Sequence, residues 1–136
     1  MQTAMAAIFV FLLVILLHEL GHFTVAKLVG IKVNEFSIGM GPKLFQKAKG
    51  ETQYTLRALP IGGYVKMEGE DEDSNDPRAF NRVSPIARIA VVAAGAIMNF
   101  ILAIIVFSIV SFSLGEPTNI IGEIISDTPA QYGGVM

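Results

Sequence analysis

Two long apolar segments, separated by a polar stretch, constrain the fold of this sequence more than any other feature. Residues 4–26 and 89–114 are each long enough to cross a bilayer, because about 20 helical residues span its hydrocarbon core. Hydrophobic residues make up 52% of the chain, charged residues only 16%, and the mean hydropathy is +0.56. These values are too apolar for an ordinary soluble domain. We therefore predict a mainly α-helical, multi-pass integral membrane protein with two transmembrane helices in contact with the lipid bilayer.

The first apolar segment is predicted to be a retained helix and not a cleaved signal peptide. No Lys or Arg precedes Lys27, and the apolar run has no small-residue cleavage site. The loop 27–88 that follows holds all ten basic residues of the chain, which predicts a cytoplasmic location by the positive-inside rule. The amino terminus and residues 115–136 would then lie on the other side of the membrane.

Within the loop, alternating apolar and polar residues predict strands. Tyr54, Leu56 and Ala58 alternate with polar neighbours, and residues 31–38 show a rougher alternation. Gly39, residues 41–42 and residues 62–63 are predicted to be turns between strands. The simplest fold is a small antiparallel β-sheet of hairpins attached to the first helix. The acidic segment 68–76 that follows is predicted to be a solvated loop.

The first apolar segment contains the motif His18-Glu19-Leu20-Gly21-His22, which holds both histidines of the chain. Four residues bring a helix back to nearly the same face, so His18 and His22 could bind one metal ion. Glu19 could then accept a proton from a water molecule. Ionisable groups inside a membrane helix are costly and usually functional, which favours a zinc site over a buried polar cluster without metal. Two histidines alone suit several divalent metals.

The sequence resembles the site-2 proteases, a family of intramembrane zinc metalloproteases, and is most similar to the amino-terminal part of the bacterial RseP-type regulators of sigma-E. The resemblance rests on residues 17–22, 36–42, 60–65 and 94–99. It implies that His18 and His22 bind zinc and that Glu19 is the general base and later the proton donor. It also implies a β-loop near the active site, so that Gly62, Gly63 and Tyr64 would bind substrate as an added strand. The alternative is a sheet that only braces the helices.

Asn99 in the second apolar segment is open to two interpretations. Gly95, Asn99 and Ala103 form a stripe of small and polar side chains that could pack closely on another helix. Asn99 could equally hydrogen-bond a substrate backbone, and the resemblance favours a position near the active site.

In the family the third zinc ligand is an aspartate on a later transmembrane helix, and its motif is absent here. We therefore expect the chain to be the amino-terminal part of an enzyme, inactive alone.

The function implied by the resemblance is regulated intramembrane proteolysis in the bacterial inner (cytoplasmic) membrane. Its substrates would be membrane-embedded proteins or peptides, such as anti-sigma factors or remnant signal peptides. The alternatives are a non-catalytic membrane-embedded binding or scaffold protein and a helical carrier that binds metal without hydrolysis. Residues 115–136 resemble the incomplete start of a PDZ domain. A net charge of −2 without a basic block makes nucleic acid an unexpected partner.

Overall fold

The computed structural model describes residues 1–114, which form two helices with a long hairpin between them. Helix α1 is Gln2–Leu28, strand β1 is Val33–Lys49, strand β2 is Thr52–Met67 and helix α2 is Pro85–Leu114. Both predicted helices are present, and each is a few residues longer than the apolar segment that predicted it. Residues 1–105 form one compact unit, to which the site described below belongs. The predicted PDZ-like start at 115–136 lies outside the described residues.

Both helices are long and apolar enough to cross a membrane. Their most apolar 18-residue windows have mean hydropathies of 2.3 in α1 and 2.7 in α2. Only 6% of the window in α1 and 17% of the window in α2 is buried in the protein. Large side chains such as Phe9, Ile97 and Phe100 are more than half exposed. An exposed apolar surface of this extent is unfavourable in water, so these helices fit a lipid environment.

Helix α1 ends in a backbone motif that turns the chain back toward the helix. Gly30 has a φ of +85°, a conformation that costs a residue with a Cβ atom more than it costs glycine. The Gly30 amide donates to the Lys27 carbonyl, and the Ile31 amide donates to the Ala26 carbonyl at 2.8 Å. Ile31 and Ala26 are both buried, which adds the apolar contact typical of this C-terminal cap.

The hairpin is a two-stranded antiparallel sheet with an irregular register. A two-residue turn at Gly50 and Glu51 connects the strands. Residues 35–38 of β1 are paired twice, with residues 63–66 and with residues 53–56 of β2. The long strands are therefore folded over, and residues 35–38 lie between two segments of β2.

The turns predicted at Gly39, residues 41–42 and residues 62–63 are wrong as strand ends. Both strands continue through these positions, and the register shifts there instead. Gly39, Gly41 and Gly62 all have φ near +80°, so they bend the strands without ending them. The small antiparallel sheet itself is confirmed.

The buried core attaches the hairpin to the carboxyl-terminal half of α1. Phe23 of α1 contacts Phe36 and Tyr54 of the sheet, with ring centroids 5.2 and 6.0 Å apart. The core consists of Ala26, Ile31, Val33, Phe36, Val65, Met67 and Val91. Because this core begins one turn beyond the histidine motif, it fixes the sheet beside that motif.

Part of the acidic segment is tied to the sheet and is not simply solvated. The Glu68 carboxylate accepts hydrogen bonds from Ser74, Asn34 and Lys32, and these contacts lower the pKa of Glu68 to about 2. Lys32 also pairs with Asp76 at 3.4 Å. Residues 71–73 are exposed, as predicted for a solvated loop.

Candidate metal centre and active site

The two histidines of α1 lie side by side with their Nε2 atoms close together. These atoms are 3.2 Å apart, and the ring centroids are 4.8 Å apart. Two nitrogens that bind one zinc ion at ~2.0–2.1 Å and a tetrahedral angle are separated by ~3.3 Å. The observed spacing of His18 and His22 therefore fits shared coordination of one ion.

The opposite ring nitrogen of each histidine has a partner on α2. His22 Nδ1 lies 2.7 Å from the Val91 carbonyl oxygen, which can only accept a hydrogen bond. Nδ1 of His22 must then carry the proton, and its Nε2 keeps a lone pair for a metal. Partners of this kind orient metal-binding imidazoles in many proteins.

Asn99 is the corresponding partner of His18. Its Nδ2 lies 3.2 Å from His18 Nδ1, while its Oδ1 is buried without a hydrogen-bond partner. A half-turn of the amide about its last bond places Oδ1 against a protonated Nδ1 of His18 and pairs the buried oxygen. In that orientation Nε2 of His18 also keeps its lone pair.

Glycines allow α2 to approach the motif closely enough for these contacts. A Cβ atom at Gly95 would lie 2.5 Å from His22 Nε2 and 2.7 Å from His18 Nε2. A Cβ atom at Gly21 would lie 2.5 Å from the Ala94 carbonyl oxygen. Residue 95 has no room for a side chain at this helix separation, so only glycine lets α2 come this close to the two imidazoles.

Glu19 lies on the side of α1 that faces the hairpin. A Cβ atom at Gly63 would lie 3.4 Å from Glu19 Cγ, so β2 passes directly beside this carboxylate. Glu19 lines two cavities, an apolar one of about 290 Å³ and a second one of about 240 Å³ that it shares with His22. The carboxylate is therefore placed where a water molecule and a bound peptide could both reach it.

The predicted substrate-binding residues fall into two groups. Gly62 and Gly63 line the larger cavity together with Glu19, and Tyr64 lines the smaller cavity. Asn99 contacts His18 instead, so the structure places it with the histidines and not beside the hairpin.

A cluster of charged and polar side chains fixes this part of the hairpin. Arg57 donates hydrogen bonds to Glu35, Ser37 and Tyr64. Burial would raise the pKa of Glu35, but its hydrogen bonds with Thr55, Tyr64 and Arg57 outweigh burial and hold that pKa below its ordinary value. Glu35 is therefore ionised, and the cluster joins the two strands beside Gly62 and Gly63.

Sequence reasoning missed Glu70 as a residue of this site. The sequence places Glu70 in the solvated acidic loop, and in the structure this exposed residue also lines the 240 Å³ cavity with Glu19, His22 and Tyr64. Its carboxylate accepts a hydrogen bond from the Met67 amide at 3.2 Å. Its distance of only three residues from the end of β2 is the signal that could have indicated this position.

The donor set fits two of the three protein ligands that a catalytic zinc ion usually has. Within residues 1–114, no cluster of three His, Cys, Asp or Glu side chains is arranged to hold a metal ion. His18 and His22 would hold the ion, and Glu19 faces the hairpin beside them. A zinc ion held there would polarise a peptide carbonyl and make a coordinated water more acidic.

Comparison with known proteins agrees with this geometry. The model of peptidase family M50 matches residues 6–134. The chain belongs to that family. The resemblance to site-2 proteases is thereby confirmed at the level of the family, and the RseP-type assignment stays a prediction.

The similar proteins are much longer than this chain. It is 54% identical over 129 residues to a predicted zinc metalloprotease of Clostridium acetobutylicum, covering 95% of this chain and 38% of that protein. It is 52% identical to one of Clostridium perfringens over the same shares, and 42% identical to one of Neisseria meningitidis, covering 98% of this chain and 31% of that protein. The chain thus spans less than two fifths of these relatives.

Proposed function

We propose that this chain is the histidine-bearing part of an intramembrane zinc endopeptidase that cleaves membrane-embedded protein segments. The observation that carries the proposal is the pair of Nε2 atoms 3.2 Å apart, each imidazole held from behind by α2. Glu19 beside this pair adds the acid–base group that a peptidase needs. The names of the relatives support zinc as the metal.

In this proposal Glu19 accepts a proton from the attacking water and returns it to the leaving amine nitrogen. His18 and His22 hold the metal, and Asn99 and Val91 orient their rings. By resemblance, the third ligand would be an aspartate on a later transmembrane helix. The position of the histidine motif near the carboxyl end of α1 would place the reaction toward the cytoplasmic side of a bacterial inner membrane.

The hairpin would present the substrate in extended form. A helical substrate hides its peptide bonds, and pairing with a strand exposes them. In the described part of the chain, residues 63–66 pair only with residues 35–38 of β1, and Gly63 lies beside Glu19. Gly62, Gly63 and Tyr64 would then bind the substrate next to the bond to be cleaved. By resemblance, anti-sigma factors and remnant signal peptides are suitable substrates.

Glu19→Gln in the full-length protein tests the proposal. General acid–base groups typically contribute about 10²–10⁴-fold in rate, so we expect cleavage of a reconstituted membrane substrate to fall by at least 100-fold. Zinc content should be unchanged, because Glu19 is not a ligand. Glu72→Gln is the matched control, since Glu72 is exposed and distant from the histidines in sequence.

Cleavage that persists at the original rate in Glu19→Gln would overturn this proposal. A wild type that cleaves no substrate would instead favour a non-catalytic scaffold or a metal carrier, because neither of these functions needs the Glu19 carboxylate.

A further inference from the structure

An apolar cavity of about 290 Å³ lies between α1 and the hairpin, on the side of Glu19 that faces the sheet. We call it the apolar cavity. Its walls are mainly aliphatic and aromatic side chains, with Phe9, Leu12, Leu13 and Leu16 from α1 and Ile38 and Leu56 from the hairpin. The Leu residues at 12, 13 and 16 follow helical spacing, so one face of α1 forms the wall.

The apolar cavity is continuous with the candidate catalytic residues. Glu19, Gly62 and Gly63 line it together with the apolar walls. A peptide that pairs with the strand at Gly63 would pass the Glu19 carboxylate, and alternate side chains of an extended peptide point to the same face. One side chain close to the cleaved bond would therefore be directed into the apolar cavity.

Among residues 1–114, Arg57 is the only cationic residue that lines the apolar cavity, and its charge is already paired with that of Glu35. Its guanidinium donates to Ser37 at 2.9 Å, to the Gly41 carbonyl at 2.8 Å, to Glu35 at 3.1 Å and to Tyr64. An acidic side chain entering the cavity would lose its hydration without gaining a free positive charge. The cavity thus selects against charge and in favour of apolar groups.

The size of the apolar cavity limits what it can bind. Sites for whole small molecules are about 300–1,000 Å³, so a cavity of about 290 Å³ is at the lower end of that range. It has room for one large side chain but not for a whole helix with its side chains.

We infer that the apolar cavity is a specificity subsite that binds a large aliphatic or aromatic side chain of the substrate next to the cleaved bond. The inference rests on the proposed function, because it takes Glu19 as the residue that acts on that bond. It adds the substrate class, namely membrane segments with Leu, Ile, Met or Phe at this position in preference to Ala or Asp.

Substrate preference in variants of the full-length protein tests the inference. A series of membrane-embedded substrates would carry Phe, Leu, Ala or Asp in turn at each position flanking the cleaved bond. An apolar pocket discriminates by about 10–200-fold for each methylene group, so wild type should cleave the Leu and Phe substrates at least 10-fold more efficiently than the Ala substrate. Leu13→Phe adds an aromatic ring to the wall and narrows the cavity, so it should reduce that preference about 10-fold, with little change for the Ala substrate.

Two further variants keep the test decisive if Leu13→Phe folds poorly. Leu12→Ala enlarges the cavity and should shift the preference toward the Phe substrate. Val10→Phe is the matched control, because Val10 is 55% exposed and does not line the apolar cavity. Binding of fluorescent forms of the same substrates to Glu19→Gln gives a readout without turnover, and the dissociation constants should follow the same order.

Suppose that cleavage depends on Glu19 but both cavity variants keep the wild-type ratio of cleavage efficiencies for the Phe and Ala substrates. This result would overturn the inference and leave the proposed function standing. Equal loss for all substrates would also overturn it, since it would mean that lipid or another segment of the protein fills the cavity. Cleavage that does not depend on Glu19 would instead overturn the proposed function and the inference together.

Discussion

Replacement of Gly95 by Ala probes the space in front of the two imidazoles with a single methyl group. The added Cβ atom would lie 2.5 Å from His22 Nε2 and 2.7 Å from both His18 Nε2 and Cε1. Ordinary contacts between such atoms begin near 3.5 Å, so the overlap is about 1 Å on both rings. The rings must rotate or α2 must move away from α1.

Gly95→Ala should change zinc affinity much more than it changes the free energy of unfolding. Ala is a better helix former than Gly by about 1 kcal/mol, which would stabilise α2. Overpacking costs about 1–3 kcal/mol, so the two effects partly cancel in the free energy of unfolding. Zinc affinity has no such compensation, because ligand positions must hold to within ~0.2 Å. We expect Gly95→Ala to lower zinc affinity by at least 10-fold and cleavage by about 100-fold.

The assay is competition for zinc with a chromophoric chelator, followed by cleavage of a reconstituted substrate at saturating zinc. Ala96→Val is the control. Ala96 is exposed, so the valine adds bulk at the same depth of α2 without facing the histidines. Full zinc affinity and full activity in Gly95→Ala would refute the reasoning, since the metal would then not occupy the space between residue 95 and the imidazoles.

Two other predictions follow from named hydrogen bonds. Asn99→Leu should lower zinc affinity about 10–100-fold, because it removes a group that orients the ligand His18. Asn99→Asp should retain most of the zinc affinity. Equal zinc affinity in Asn99→Leu and wild type would contradict the role of Asn99. Glu68 has a pKa lowered from 4.5 to about 2, so its contribution to stability is present above pH 4.5 and is lost as the pH falls toward 2. Melting temperatures measured by circular dichroism should therefore fall less steeply in that interval for Glu68→Gln than for wild type, and identical slopes would contradict this.

The helices and the histidine pair could be predicted from sequence because each depends on local pattern. Uninterrupted apolar length fixes α1 and α2, and a spacing of four residues on a helix fixes the relation of His18 to His22. The hairpin was predicted only in outline. Gly39 and Gly62 are typical of turns, but strand pairing across them kept both strands continuous and used the glycines as bends.

The surroundings of the histidines could not be predicted, because they depend on how α2 packs against α1. Nothing in the sequence indicates that the Val91 carbonyl faces His22, or that Gly95 makes room for both rings. Asn99 was recognised as unusual in an apolar segment, but its contact with His18 required the packing of the two helices. The sequence does not distinguish Glu70 from the other acidic residues of its segment, so its position beside Glu19 could not be predicted.

The measurement that tests the central claim most directly is the zinc content of the purified full-length protein, determined alongside His22→Ala. Our account predicts about one tightly bound zinc ion per chain in the wild type and its loss in the variant, with both proteins folded. A folded wild type without zinc, or a zinc content that His22→Ala leaves unchanged, would contradict the assignment of His18 and His22 as the metal centre.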